Sequence, residues 1–326
     1  MRAMLDSWQR WCSRSALLRF VDVNLRGTGQ VMLQNNPLTG ALFMAAIAWG
    51  AFVAEAPEVL AGGVLALLSS TLFAMWLRVE REALADGLYG YNAILVGMAL
   101  PTFLAPTPLL WAYIVLGAAV SVVAMLAAAN LTRSWQLSAL TFPFVIVTWA
   151  LLLAAFAFSG VGGGPPPFAG ELEPLEEAVS NPLDFGAFAA GVLHSISQVF
   201  LKGSLVAALL FVAGLAVNSL AAAGFALGGA AVAVITAHLF GAESELVSAG
   251  LLGFSPVLTA ITLGTVFYRP SPRVAVYAAL GAAFTVVVQA AMNVAFASLG
   301  VPALTAPFVL TAWLFLMPRQ HLDARR

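Results

Sequence analysis

Long apolar runs dominate the chain and restrict what it can fold into. Two sets of five runs stand on either side of one polar loop, near residues 38–54, 59–77, 87–104, 109–130 and 136–158, and then near 203–218, 224–240, 250–267, 274–296 and 303–317. A helix of roughly 17–25 mostly apolar residues crosses a bilayer. Only 9% of the residues are charged, against about 25% in soluble domains. The sequence therefore predicts an all-α polytopic membrane protein whose solvent is the lipid bilayer.

The placement of arginine predicts the orientation of the spans, because cytoplasmic loops collect Lys and Arg. If the N-terminus is cytoplasmic, Arg78, Arg81 and Arg133 fall in inside loops, and so do the arginines of both chain ends. The loop from Ser159 to Asp184, with five acidic residues, then lies outside. This pattern predicts ten crossings with both termini cytoplasmic.

The two sets of runs are copies of one unit. GLYGYNAILVG at 87–97 matches GLLGFSPVLTA at 250–260, a displacement of 163 residues. LTFPFVIVTW at 140–149 matches LTAPFVLTAW at 304–313, a displacement of 164, and GTGQVML at 27–33 matches SISQVFL at 195–201, a displacement of 168. Three matches in the same order at nearly the same displacement indicate an internal repeat, which recurs in transport proteins.

An odd number of crossings in each copy predicts that the second copy is inverted relative to the first. The runs that precede Gln30 and Gln198 are short and interrupted by polar residues, so each is predicted to be a re-entrant half-helix. The substrate path of inverted-repeat folds lies at the repeat interface. The expected organisation is an interfacial segment at 1–26, a first repeat at 27–158, an extracytoplasmic loop at 159–185, a second repeat at 186–317 and a cytoplasmic tail at 318–326.

The residues expected at the repeat interface are paired and uncharged. They are Gln30 with Gln198, Tyr91 with Phe254, Leu95 with Leu258, and Thr141 with Thr305. An ion path would need rings of charge or a cage of carbonyl groups, so this set favours a small neutral polar solute. Each residue also has a structural interpretation, because intramembrane glutamines often join helices and threonines often bond to their own backbone.

Other chemistries find little support in the sequence. Cys12 is the only cysteine, and His194, His238 and His321 are far apart. Glu243 and Glu245 are predicted to lie in an outside loop. We therefore expect no cofactor, no metal ion, no nucleic-acid partner and no catalytic site.

At these residues the sequence resembles the urea transporter family over nearly its whole length. The most specific stretches are GTGQVMLQNNPLTG at 27–40, ADGLYGYNAILVGMAL at 85–100, ALTFPF at 139–144, ESELVSAGLLGFSPVLTAITLG at 243–264 and PALTAPF at 302–308. The second copy departs from the pattern, because it has Lys202 where the first has QNNP. The resemblance implies two inverted repeats of five spans plus one re-entrant half-helix each, and a homotrimer with one pore in every subunit.

The resemblance also implies roles for individual residues of a bacterial inner-membrane member. Gln30 and Gln198 would lie at the two outer sites, beside ladders of acceptor oxygens, and Thr141 and Thr305 at the central constriction. The residues that would form a narrow hydrophobic slot and its walls are Tyr91, Leu95, Phe254, Leu258, Val31, Val199, Leu33 and Leu251. Urea fits such a path, because it is planar and neutral and its N–H groups leave water at a high cost if unpaired.

Three alternatives to a passive urea channel stay open at the level of sequence. One is a channel for another small neutral solute, such as acetamide, ammonia or water. The second is a proton-coupled urea transporter, which would need an intramembrane carboxylate. A membrane enzyme is a more distant third, because no nucleophile–base pair is visible.

Overall fold

The computed structural model describes residues 2–161 and 181–318. Most of the predicted acidic loop, including Glu171 to Glu177, and the basic C-terminal tail with His321 lie outside the described residues. The first half contains eight helices, α1 Arg2–Arg14, α2 Ala16–Gln30, α3 Pro37–Val53, α4 Pro57–Trp76, α5 Arg81–Ala85, α6 Tyr91–Phe103, α7 Pro108–Thr132 and α8 Phe142–Ala155.

The second half repeats the order of α2 to α8. Its helices are α9 Phe185–Ser197, α10 Leu205–Asn218, α11 Leu220–Leu239, α12 Ser244–Ser248, α13 Phe254–Ile261, α14 Pro272–Ala297 and α15 Ala306–Leu316. A π-helical turn at 262–266 continues α13. Every predicted apolar run overlaps one of these helices. The predicted boundary between residues 26 and 27 falls inside α2.

Four helices, α4, α7, α11 and α14, are long and apolar enough to cross a membrane alone. The shorter apolar helices are α3, α6, α8, the continuous α13–π segment and α15. Helix α9, extended to Phe200, and helix α10 meet at a break with a bend of 76°. Helix α8 begins later than its predicted apolar run, because residues 136–141 of that run are not helical.

Sequence signals at the helix starts explain where the helices begin. Asn36 caps α3, where its Oδ1 accepts from the backbone N–H groups of Leu38 (2.9 Å) and Thr39 (3.4 Å). Pro37 and Pro108 stand at the first turns of α3 and α7, where a missing N–H costs nothing. Ser219 caps α11 in the same way, through the N–H of Ala222 at 3.1 Å.

Irregular turns recur at equivalent places in the two halves. Leu33 and Leu201, just after the two glutamines, have φ of 61° and 55°. Leu140 and Leu304, just before the two threonines, have φ of 50° and 52°. A left-handed conformation is costly for leucine, so its recurrence marks turns that the surrounding structure holds in place.

Helix α10 is joined to α3 and to the segment before α3 by polar contacts between the two halves. Thr39 Oγ1 donates to the carbonyl oxygen of Gly214 at 2.7 Å. Asn218 Nδ2 donates to Gln34 Oε1 at 2.7 Å. Gly214 also leaves room for the ring of Phe43 on α3, because a Cβ atom at Gly214 would overlap that ring.

Candidate functional site: a polar path between the two halves

The two glutamines make the same contact in each half. Gln30 ends α2, and its Nε2 donates to the carbonyl oxygen of Asp86 at 3.0 Å. Gln198 follows α9, and its Nε2 donates to the carbonyl oxygen of Ala249 at 3.2 Å. In both halves the amide nitrogen ties the end of a helix to the turn before α6 or α13. Each side chain therefore has its Oε1 left to accept a hydrogen bond.

The two threonines meet where the halves face each other. Thr141 precedes α8 and Thr305 precedes α15, and their Oγ1 atoms are 2.7 Å apart. Both residues are buried. Each hydroxyl therefore bonds to the other half rather than to its own backbone. The pair provides two uncharged oxygens in the interior, between segments 164 residues apart.

The aromatic residues of the two halves differ in what they contact. Tyr91 Oη donates to the carbonyl oxygen of Leu140 at 2.6 Å. Asn92 Oδ1 accepts from the N–H of Phe144 at 3.0 Å. Phe254 takes the place of Tyr91 in the second half and has no hydroxyl. Among the described residues no donor reaches the carbonyl oxygen of Leu304, the counterpart of Leu140.

A cavity of about 250 Å³ lies beside the threonine pair on the side of the second half. Six of the residues predicted for the site line it, namely Leu95, Gln198, Val199, Leu251, Phe254 and Thr305. Three lining residues that the sequence did not suggest also carry polar groups, namely the carbonyl of Leu304 and the amides of Gln289 and Asn293. Apolar walls with a few polar groups are typical of small-molecule sites.

The other predicted residues do not line this cavity. Val31 and Leu258 are fully buried and pack in the apolar core. Leu33 packs against the same core in its left-handed turn. Gln30 and Tyr91 donate hydrogen bonds to backbone carbonyls of the first half, those of Asp86 and Leu140.

A charged network surrounds the Gln30 end of the path and was missed by the sequence analysis. Arg26 Nε lies 2.7 Å from Asp22 Oδ2, and Arg26 Nη1 donates to Asn35 Oδ1 at 2.7 Å. Asn35 Nδ2 in turn donates to Asp86 Oδ1 at 2.7 Å. The i, i+4 spacing of Asp22 and Arg26 was the only signal in the sequence, since the other contacts join distant segments.

Lys202 is buried against a helix of the first half. It is not exposed at an outer mouth, because only 4% of its surface is accessible. Its aliphatic stem packs against Gly50 of α3, where there is no side chain to displace it. It is also absent from the described lining of the cavity.

Within the described residues, no group of three His, Cys, Asp or Glu side chains could hold a metal ion.

These apolar helices, with an uncharged cavity where the two halves meet, are those of a polytopic membrane protein. A sequence model of the urea transporter family matches residues 21–320. The chain belongs to the urea transporter family, as the resemblance predicted. It is 28% identical over 307 residues to urea transporter 1 of Ovis aries, covering 92% of this chain and 77% of that protein. It is also 28% identical over 317 residues to urea transporter 1 of Rattus norvegicus, covering 93% and 78%.

Proposed function

We propose that the protein is a passive, channel-type transporter of urea, with its pore between two inverted repeats. The observation that carries the proposal is the buried pair Thr141–Thr305, at 2.7 Å, beside a cavity that six predicted pore residues line. Membership of the urea transporter family identifies the solute class.

Reciprocal contacts between the halves support the inverted repeat. Trp149 Nε1 donates to the carbonyl oxygen of Pro302 at 2.9 Å, and Trp313 Nε1 donates to that of Ser138 at 2.9 Å. Trp149 and Trp313 are equivalent in the repeat, and so are Ser138 and Pro302. Contacts that exchange in this way are expected of two units related by a two-fold axis. Five spans per unit would place that axis in the membrane plane.

The chemistry of the path suits a neutral solute with several N–H donors. Gln198 Oε1, the carbonyl oxygen of Leu304 and the hydroxyl of Thr305 can accept hydrogen bonds, so N–H groups that leave water need not stay unpaired. Leu95 and Phe254 supply apolar walls that would contact the faces of a flat molecule. The described lining contains no charged side chain, which disfavours ions.

Further features of the proposal rest on the arginine pattern and on the family resemblance. They are ten crossings, cytoplasmic termini, a location in a bacterial inner membrane and a homotrimer with one pore per subunit. Accessibility of single cysteines placed at 134 and 270 would test the orientation, because both positions are predicted to face the cytoplasm. Native mass spectrometry would test the trimer.

The main test is urea efflux from liposomes that contain the purified protein, followed by light scattering. We expect efflux well above that of empty vesicles and unaffected by a protonophore, because a passive channel needs no gradient. Efflux equal to that of empty vesicles would overturn the proposal. Efflux that stops with the protonophore would favour the proton-coupled alternative.

A further inference from the structure

One wall of the cavity carries a string of polar side chains between α13 and α14. Ser255 Oγ donates to Gln289 Oε1 at 2.9 Å, and Gln289 Nε2 donates to Asn293 Oδ1 at 3.0 Å. Gln289 is buried, whereas Asn293, one turn further along α14, is exposed where it lines the cavity. Ser255 therefore orients Gln289, and Gln289 orients the amide of Asn293.

This string has no counterpart in the first half. The residues of α7 equivalent to Gln289 and Asn293 are Met125 and Ala129, at a displacement of 164. The position of Ser255 is occupied there by Asn92, whose Oδ1 accepts from the backbone N–H of Phe144 and whose Nδ2 lies 3.8 Å from Met125 Sδ, so that only a weak sulfur contact stands in place of the bond between Ser255 and Gln289. Helices α6 and α7 thus pack together without these amides, so the fold does not require them.

The direction of the hydrogen bonds determines what Asn293 can offer. Its Oδ1 is engaged by Gln289, and within the described residues its Nδ2 has no partner. Asn293 lines the cavity, and the group that it has free to offer there is an N–H donor. The other lining residues include Gln198 and Thr305, whose side-chain oxygens can accept hydrogen bonds. A donor and acceptors in one cavity match a solute that itself carries a carbonyl oxygen and N–H groups.

We propose that Asn293 is a specificity-determining residue that donates a hydrogen bond to the carbonyl oxygen of the solute, with Gln289 as its positioning residue. The inference deepens the proposed urea transport and rests on it. Recognition of the oxygen separates urea from thiourea, because sulfur is a weak acceptor. Because the polar side chains occur only in the second half, we expect the discrimination between urea and thiourea to take place at that half of the proposed pore.

The test compares the half-saturation concentrations of urea and thiourea in proteoliposomes. Asn293→Asp keeps the shape of the side chain but loses its N–H groups, and Asn293→Ala gives the residue found in the first half. In both variants we expect the value for urea to rise about threefold to tenfold, the worth of one hydrogen bond. The value for thiourea should change less than twofold. Gln289→Met, the other first-half residue, should lower the urea-to-thiourea preference in the same direction.

Val294→Ala is the matched control, since Val294 neighbours Asn293 but is 69% exposed on α14. In this variant the half-saturation concentrations of urea and thiourea should equal those of the unaltered protein. Equal changes for urea and thiourea in the Asn293 variants, or no change for either, would overturn the inference and leave urea transport standing. No urea flux through the unaltered protein would instead overturn the proposed function and the inference with it.

Discussion

At the scale of single residues, the two halves use matched positions for different tasks. Tyr91 and Phe254 occupy equivalent positions, yet only Tyr91 can bond a backbone carbonyl, that of Leu140 at 2.6 Å. Thr141 and Thr305, by contrast, share one task, because their hydroxyls bond each other. Equivalence in sequence therefore indicates equivalent location, while the chemistry of each side chain decides what it contacts.

Replacement of Thr305 by Val should slow urea flux. Valine keeps the shape but removes a hydroxyl from the buried pair, so a solute loses an acceptor and Thr141 loses its partner. We expect a decrease of about twofold to tenfold in proteoliposome efflux, from the worth of one hydrogen bond. The double variant with Thr141→Val should lose less than the product of the single effects, because the two hydroxyls act as a pair.

Thr148→Val provides the control for the threonine pair. Thr148 is also buried on α8, but its Oγ1 has no hydrogen-bond partner among the described residues. Its replacement should leave efflux within twofold of the unaltered protein. If Thr148→Val and Thr305→Val reduced efflux equally, the pair would have no special place in the path.

Tyr91→Phe should lower stability while urea flux persists. The variant copies Phe254 of the second half and removes the 2.6 Å bond to the Leu140 carbonyl, which costs about 1 kcal/mol. The amide of Asn92, 3.5 Å from the same carbonyl oxygen, remains. The measurement is the midpoint of thermal unfolding in detergent. Tyr89→Phe is the control, because the Tyr89 hydroxyl bonds nothing within the described residues. Equal shifts in the two variants would show that the bond to Leu140 is not stabilising.

At the scale of elements, helices α2 and α9 make close backbone contact with the turns before α6 and α13. A Cβ atom added at Gly87 would overlap the backbone at Gly27, and one added at Gly250 would overlap the backbone at Ser195. Gly87 and Gly250 have φ of 74° and 72°. Both turns thus need glycine for two reasons, a left-handed conformation and the absence of a side chain.

Gly250→Ala should destabilise the second half-helix more than Gly241→Ala does. Gly241 has φ of 75° but no atom within contact distance of an added Cβ, so its replacement costs only the left-handed conformation, roughly 1–2 kcal/mol. Gly250→Ala adds the overlap with Ser195. Yield of folded protein and thermal midpoint in detergent measure the difference. Equal decreases in the thermal midpoint for the two variants would mean that the backbone at Ser195 can move to accommodate the added Cβ atom at no cost in stability.

At the scale of the whole molecule, the two halves are joined by exchanged contacts. The indole N–H groups of Trp149 and Trp313 each reach a carbonyl of the other half, at 2.9 Å. Helix α10 adds a second set of polar contacts, with α3 and with the segment before α3. Bonds between distant segments hold the interface on which the proposed pore depends.

Trp149→Phe and Trp313→Phe should lower the thermal midpoint by similar amounts. Each removes one of two equivalent bonds between the halves, worth about 1 kcal/mol. Trp49→Phe is the control, since Trp49 is 42% exposed and contacts Phe52 by its ring. Strongly unequal effects of the two interface variants would contradict their equivalence.

Much of the fold could be predicted from the sequence because its causes are local. Each apolar run overlaps a helix, and Asn36 and Pro37 begin α3 through contacts within three residues. The runs were longer than the helices where backbone such as 136–141 is apolar but not helical. Hydropathy carries no information about the backbone angle φ, so the left-handed conformation of the leucines could be found only from the structure.

The sequence by itself determined the membrane solvent, the order of the helices and the pairs of residues that correspond between the two copies. Composition and periodicity act along the chain, so they can be read without coordinates. Only the tertiary structure decided that Thr141 bonds Thr305, that Tyr91 donates to the Leu140 carbonyl and that Asn293 lines the cavity. Such contacts depend on how segments tens to hundreds of residues apart pack together, and local sequence does not specify that packing.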